Sequence, residues 1–250
     1  MQPQHAWYAN RCTHCDHCRI NCPQGAIDMH FRVDMRRCIQ CGRCVNECPT
    51  AARKLFGRKY EITEILSLLL SDRDFYDMSG GGVTFSGGEC LLHPEPLEEL
   101  LRGCKNAGIQ TAVDTAGNVP WMVIERLLPL IDLFLYDIKC ISAELHQVLT
   151  GATNERILEN YRRIYALAPE KLMVHIPIIP DANDKDNEMI KVADFLTEYP
   201  PKSIELLPYH RLGVPKANAL DITYNVFSEP SAERMSELKE LFASRKLQLL

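Results

Sequence analysis

No run in this 250-residue chain approaches the roughly 18 consecutive apolar residues that crossing a bilayer requires. The longest candidate, LLPLIDLFLYDI, is interrupted by Asp132 and Asp137, so no membrane span is expected. The opening MQPQHAWYAN lacks the basic and apolar regions of a secretory signal, which predicts a cytoplasmic protein. Collagen-like and low-complexity repeats are missing as well. A balance of 46% hydrophobic to 24% charged residues is that of a soluble globular chain rather than a disordered one. Nor is there a basic stripe with interleaved aromatics, which argues against nucleic acid as a partner. Charge is nonetheless uneven. Residues 1–55 carry eight Lys/Arg against four Asp/Glu, a surplus of four positive charges in a chain of net charge −5, which leaves −9 on the remainder.

Cysteine is present in excess and crowded into one place. Eight of the eleven fall between Cys12 and Cys48; Cys90, Cys104 and Cys140 are scattered over the rest of the chain. In a reducing compartment such crowding means metal rather than disulfides. Cys12, Cys15, Cys18 and Cys22 precede Pro23, and Cys38, Cys41, Cys44 and Cys48 precede Pro49. Both runs read C-x2-C-x2-C-x3-C-P, and each cysteine of the second lies 26 residues after its counterpart. In this pattern three thiolates on one loop cap three corners of a 4Fe-4S cubane, and the fourth cysteine ligates the other cluster. The expected sets are therefore Cys12, Cys15, Cys18 and Cys48 for one cluster, and Cys38, Cys41, Cys44 and Cys22 for the other. Zinc would call for four-ligand sets of the C-x2-C…C-x2-C kind with a longer internal gap. His14 and His17 are read as surface residues, since thiolates already fill the ligand count, and the three scattered cysteines as small buried hydrophobes. A two-cluster module of this kind is an electron relay.

From residue 56 onward the pattern becomes short apolar runs alternating with amphipathic stretches. Strands are expected at 82–86, 110–115, 133–138, 172–178 and 203–208. Between them, Leu97, Leu100, Leu101 and Cys104 form a helical stripe stopped by Gly108, and Pro120 opens a helix carrying Val123, Ile124 and Leu127. Ile157, Tyr161 and Ile164 follow Asn154 as a candidate N-cap, Met189, Val192 and Leu196 mark another helix, and Met235, Leu238 and Phe242 the last. This alternation predicts parallel βα units. Strands without clean alternation suggest burial on both faces. Polar residues gather where the strands end: Gly87, Gly88 and Glu89 after the first, Asp114 and Thr115 on the second, Asp137 and Lys139 at the third, Tyr209 and His210 after the fifth. In a parallel barrel that rim is where ligand and catalytic groups converge. The expected organisation is a cluster domain over residues 1–55 and an α/β domain over 56–250.

The stretches DFYDMSGGGVTFSGGECLLHPE, TAVDTAGNVPW, LFLYDIK, IPIIPDAND and LLPYHRLGVPK, in this order, resemble the activating enzymes of glycyl radical enzymes. These are a branch of the radical S-adenosylmethionine (SAM) family, and members with a dicluster ferredoxin insert are similar over essentially the whole chain. The resemblance implies a partial (β/α)6 barrel beside a small dicluster ferredoxin-like domain. It also implies oxidoreductase chemistry: one electron cleaves SAM to methionine and a 5′-deoxyadenosyl radical, which takes a hydrogen from a glycine of a partner glycyl radical enzyme under anaerobic conditions. Gly87, Gly88 and Glu89 would hold the methionyl ammonium, Lys139 the ribose and carboxylate oxygens, and His210 would complete the pocket. Asp114, Thr115, Asp137 and the Ile138 carbonyl correspond to a monovalent-cation site, an oxygen set suited to a hard cation. The electron donor would be a flavodoxin or ferredoxin. Which glycyl radical enzyme is the client is not encoded in these shared motifs.

The chain departs from the family pattern in two ways. Where the family loop reads Arg-x-Pro…Ile-Pro-Gly, His175 stands in the Arg place and Asp181 in the Gly place, and a neutral histidine makes a poorer anion contact. The second departure is larger. The family holds its catalytic cluster by C-x3-C-x2-C on the loop after the first barrel strand, and no such motif occurs in these 250 residues. The expectation is an activase shortened at its N-terminus, lacking the first barrel strand and the third, SAM-binding cluster. It would be inactive as written, with an unpaired sheet edge prone to aggregation. The alternatives are a catalytically dead binding or regulatory homologue and a dicluster ferredoxin with an unrelated appended domain. Sequencing the codons upstream checks this expectation: an in-frame C-x3-C-x2-C is the expected finding, and its absence would sink the truncation.

Overall fold

A 26-residue repeat in sequence becomes a repeat in backbone. The computed structural model describes residues 3–223 and 225–250; Met1, from which the expected cluster domain is counted, lies outside them. The chain divides into two units, Met1–Lys59 with His210–Val226, and Tyr60–Tyr209 with Phe227–Leu250.

In the first unit, strand β1 (Gln4–Trp7) pairs antiparallel with β2 (Arg53–Phe56). Between them lie the one-turn helices His17–Ile20 and Arg43–Asn46, offset by the same 26 residues as the cysteines. The left-handed backbone positions repeat with them: His14 and Gln40 (φ 56° in both), Asp16 (61°) and Gly42 (71°), Gly25 (53°) and Ala51 (51°), Phe31 (63°) and Gly57 (85°). Such conformations are uncommon for residues other than glycine, so their recurrence marks one loop design used twice. The apolar core here is small: Cys18, Ile27, Phe31 and Cys44, with Trp7, Cys12, Val33 and Val45 packed against it. A unit of this size with so little core relies on something besides hydrophobic burial to hold its shape.

The second unit contains five parallel strands in the order β3 (Gly82–Phe85), β4 (Gln110–Thr115), β5 (Leu133–Asp137), β6 (Leu172–Ile178) and β7 (Ser203–Pro208). These fall within one residue of the expected strands. The expected helical stripes are buried: Leu97, Leu100, Leu101 and Cys104 on Pro94–Asn106, Ile157, Tyr161 and Ile164 on Glu155–Leu167, and Met189, Val192 and Leu196 on Asp186–Glu198. Full burial of one such leucine contributes about 1.5–3 kcal/mol. At the β7 edge, Ile204 accepts from Leu250 N and donates to Gln248 O, so the C-terminal residues cover backbone groups an edge strand leaves open. The helices Ile62–Ser71 and Arg73–Ser79 were not among the expected elements. Among the described residues no helix is long and apolar enough to cross a membrane.

Two expectations need correction. The strands do alternate: β4, β5 and β6 bury every second residue and leave the others half-buried. Apolar side chains such as Leu135 and Met173 occupy the half-buried face, which is why the sequence looks apolar on both. Asn154 stands at the N-cap of Glu155–Leu167 but makes no side-chain cap bond; its Nδ2 donates instead to the carbonyls of Cys140 and Ile141, both at 2.9 Å.

Buried polar residues of this kind clamp the loop after β5. Glu188, 3% exposed, accepts from Ile141 N (2.6 Å), Ser142 N (2.8 Å) and Ser142 Oγ (2.5 Å). Burial pushes its carboxyl pKa up, but these hydrogen bonds and Lys191 outweigh burial and hold it below the ordinary carboxylate value of 4.5. A depressed folded-state pKa means stability present above the unfolded value and lost as pH falls through the folded one. Glu188→Gln should therefore cost about 1.5–3 kcal/mol at neutral pH. Urea unfolding of the two proteins should show that difference shrinking below about pH 4.5; a difference independent of pH would mean the charge plays no part.

Candidate functional site

Each set of cysteines inferred from the spacing surrounds a cavity of the first unit. Cys22, Cys38, Cys41 and Cys44 line one together with His5, Pro23 and Ile27. Cys12, Cys15, Cys18 and Cys48 line another, with Trp7, Phe31, Thr50 and Arg53. In both, three cysteines come from one run and the fourth from the other. Among the described residues no three Cys, His, Asp or Glu side chains converge closely enough to share one ion. Backbone N–H groups already face sulfur: His14 N to Cys12 Sγ and Gln40 N to Cys38 Sγ at 3.4 Å, Ala26 N to Cys22 Sγ at 3.2 Å. The left-handed residues turn these amides inward, and an N–H aimed at sulfur favours the thiolate that iron needs. Burial pushes the Cys48 thiol pKa up, but hydrogen bonds from Arg53, Thr50 and Ala52 bring it below the ordinary value overall. Burial raises Cys44, with the charge of Arg53 opposing. Four thiols and inward N–H groups are the donor chemistry that an iron–sulfur cluster needs, and each cavity has them. His5 sits against the second set, its Nε2 3.3 Å from Cys38 Sγ.

The three scattered cysteines behave differently. Burial, then the charge of Glu89, pushes Cys90 up to about 12; burial and then Glu188 do the same to Cys140; burial raises Cys104. All three remain protonated thiols, as their structural reading requires.

In the second unit, Gly87, Gly88 and Glu89 follow β3. The Glu89 carboxylate is fixed by its surroundings: Thr115 Oγ1 lies 2.8 Å from both oxygens, Ala116 N donates at 3.1 Å and Leu91 N at 3.2 Å. Asp114 accepts from Ser86 Oγ at 2.7 Å, so the ends of β3 and β4 are tied together. The register places Asp137, His175 and Glu205 opposite one another on β5, β6 and β7, a polar row on the half-buried face. Asp137 Oδ2 pairs with Lys139 Nζ at 2.5 Å, while its Oδ1 is buried without a partner, a negative atom left open to a cationic or N–H group. Ile138 N donates to His175 O at 2.9 Å, and His175 Nε2 lies 3.4 Å from Glu205 Oε2. Asp181, in the place of a glycine, takes φ 63°, a left-handed conformation that Asp tolerates better than most residues. Of the residues expected around SAM and the cation, His210 alone belongs to the first unit.

Several residues that shape this rim were not anticipated. Asn183, 0% exposed, donates to Lys139 O and Pro177 O at 2.7 Å and accepts from Ile179 N at 2.9 Å, linking the loops after β5 and β6. Asn160 donates to Gly117 O and Val119 O at 2.8 Å. The only hint in the sequence is an asparagine in otherwise apolar or turn-rich surroundings.

Known proteins share these features. The family model for the radical SAM superfamily matches residues 9–193. The chain is 36% identical over 240 residues to the choline trimethylamine-lyase activating enzyme of Oleidesulfovibrio alaskensis, covering 92% of this chain and 77% of that protein. It is 39% identical over 212 residues to the isethionate sulfite-lyase activating enzyme of Desulfovibrio desulfuricans, covering 82% and 68%. The chain belongs to the radical SAM superfamily, among its glycyl radical enzyme activating enzymes. A domain of a pyruvate-formate lyase-activating enzyme from Bacteroides vulgatus superposes with a TM-score of 0.59 at 32% identity, over 68% of this chain and 98% of that one. A match running from within the cysteine-rich segment far into the parallel sheet sets aside an electron carrier with an unrelated appended domain.

Gly117, beside this radical SAM rim, tests how tightly the loop after β4 is held. It has φ 69°, and a Cβ there would stand 1.9 Å from Tyr136 Oη, which itself donates to Ile157 O at 2.7 Å. Gly117→Ala should destabilise the protein by about 2–4 kcal/mol through overpacking and left-handed strain. Denaturant titration measures this; a loss under about 0.5 kcal/mol would show the loop free to move.

Proposed function

We propose that this activating enzyme carries two 4Fe-4S clusters, held by Cys12, Cys15, Cys18 and Cys48 and by Cys38, Cys41, Cys44 and Cys22, in a ferredoxin-like domain, and that its second unit is a partial (β/α)6 barrel. The observation that carries the reading is the crossed lining of the two cavities, three cysteines of one run with the fourth of the other. When bound, such clusters supply single electrons, and SAM supplies the organic radical that removes hydrogen from a glycine of the partner enzyme.

In this reading the chain's own residues bind and orient. Gly87 and Gly88 offer carbonyls and Glu89 a carboxylate to the methionyl ammonium of SAM, with Thr115 and Ala116 N locking the carboxylate so that little orientation is lost on binding. Lys139 donates to ribose and carboxylate oxygens, held meanwhile by Asp137. Asp114, Thr115, Asp137 and the Ile138 carbonyl receive a monovalent cation, for which the unpartnered Asp137 Oδ1 is the supporting observation. None of the eleven cysteines forms a C-x3-C-x2-C, so no residue here is assigned to a SAM-cleaving cluster. The client is a glycyl radical enzyme. The positive surplus of residues 1–55 suits an acidic flavodoxin- or ferredoxin-type donor, whose encounter rate would fall with salt.

Anaerobic reconstitution tests the reading. About eight irons per chain are expected for two cubanes, falling to about four in Cys48→Ser. Equilibrium dialysis with SAM should show binding weakened about 10- to 100-fold in Glu89→Gln, the loss of one charge-assisted hydrogen bond. Unchanged iron in Cys48→Ser would overturn the crossed ligation, and unchanged affinity in Glu89→Gln the assigned ammonium contact.

A further inference from the structure

Two buried donors in the first unit have no acceptor. Trp7 Nε1 and Arg53 Nε carry essentially no solvent exposure and hydrogen-bond to nothing among the described residues. Arg53 is itself only 2% exposed. A buried N–H without a partner costs about 1–3 kcal/mol, more on a charged group, and a native structure rarely keeps one without a reason such as an ion or cofactor in reach. Here two sit side by side. Trp7 and Arg53 are directly opposed across the antiparallel pair β1–β2, and directly opposed residues leave such a ribbon on the same face.

Both residues line the cavity of Cys12, Cys15, Cys18 and Cys48, and neither lines the cavity of Cys22, Cys38, Cys41 and Cys44. Both also border a wide cleft containing Asn10, Arg32 and Asn218, but their two N–H groups are buried and not exposed to its solvent. Their positions are held. Arg53 Nη2 donates to Phe31 O at 2.5 Å, and Phe31 is one of the left-handed residues (φ 63°). The Trp7 ring stacks on Phe31 with centroids 5.5 Å apart and planes at 22°, and His14 meets the Phe31 ring edge-on at 5.2 Å. A planar guanidinium anchored at one nitrogen and an indole anchored by its ring have no freedom to seek other acceptors.

The acceptor that suits these donors is anionic sulfur. Hydrogen bonds to cluster sulfurs and nearby positive charge favour the reduced, more negative state and so raise the potential. We propose that Trp7 Nε1 and Arg53 Nε donate to sulfurs of the cluster held by Cys12, Cys15, Cys18 and Cys48 and set its potential above that of its neighbour, making it the member of the pair on which the electron rests. This deepens the two-cluster reading and rests on it. The two residues differ in reach: the indole N–H is neutral and local, whereas the charge of Arg53 is also felt at Cys44 of the other set.

The test is a potentiometric titration of the reconstituted full chain followed by electron paramagnetic resonance, with iron counted in each sample. Trp7→Phe keeps the stacked ring and removes only the donor. Iron should stay at about eight, the higher of the two midpoints should fall, and the lower should not move. Arg53→Met should lower both midpoints, the higher by about tenfold in reduced-to-oxidised ratio at fixed ambient potential, or ~59 mV for one electron. Should Arg53→Met fail to fold, Trp7→Phe still decides. Full iron with an unmoved higher midpoint, or movement of the lower one instead, overturns the hydrogen bonds alone. A wild-type chain that takes up no iron overturns the two-cluster reading and this proposal with it.

Discussion

Sulfur that must stay ionised inside a protein needs N–H groups pointed at it, and this requirement shapes the whole first unit. An extended or helical loop aims its amides at neighbouring carbonyls. Turning them inward takes left-handed residues, and the chain supplies these at His14, Asp16, Gln40 and Gly42, of which only one is a glycine. At His14 and Gln40 the strain is partly offset by N–H···S contacts to Cys12 and Cys38. The small apolar core agrees. Cys18 and Cys44 are themselves core residues, so thiols proposed as ligands also hold the fold.

The second unit meets a different constraint by similar means. A parallel sheet delivers polar side chains to one rim, but loops carry them, and loops are mobile unless tied. The ties are buried polar side chains: Glu188 on the loop after β5, Asn183 between that loop and the one after β6, and Asn160 on the loop after β4. Each uses its hydrogen-bonding capacity on backbone, so it fixes the position of a loop without offering anything to a ligand. Glu89 combines both roles. It is held by Thr115, Ala116 and Leu91, and it is also the carboxylate proposed for the methionyl ammonium of SAM.

Much of this could be read from the sequence because it depends on spacing. Five strands were legible from β-branched and leucine-rich runs bounded by turn residues, and the crossed cysteine sets from a period of 26 that the backbone repeats angle by angle. What could not be read depends on burial. DANDKDNE looks like a solvated loop, yet Asn183 and Glu188 within it are almost fully buried. Arg53 contributes to an apparent basic surface and is 2% exposed. The alternation of β4 to β6 was hidden because a half-buried face accepts Leu135 and Met173 as readily as polar residues. The helix Ile62–Ser71 was legible in principle, since Ile62, Ile65, Leu66 and Leu69 of ITEILSLLLS recur at helical spacing and are its half-buried residues; Arg73–Ser79 carries no comparable stripe.

The same physics acts differently on chemically identical thiols. Cys104 and Cys140 are buried and Cys90 is half-buried; desolvation, joined at Cys90 and Cys140 by the charge of a nearby carboxylate, keeps the proton on. Cys48 is also partly buried, but hydrogen bonds from Arg53, Thr50 and Ala52 reverse the outcome. Cys44, in the other proposed set, is raised by burial with the charge of Arg53 opposing, so burial alone does not separate the proposed ligands from the structural thiols. Arg53 links these thiols to the proposed clusters. Its Nη2 is used on Phe31, its backbone N–H supports Cys48, and its Nε finds no partner among the described residues. A charged donor is costly to bury unpaired, and a cluster sulfur is the acceptor proposed for it.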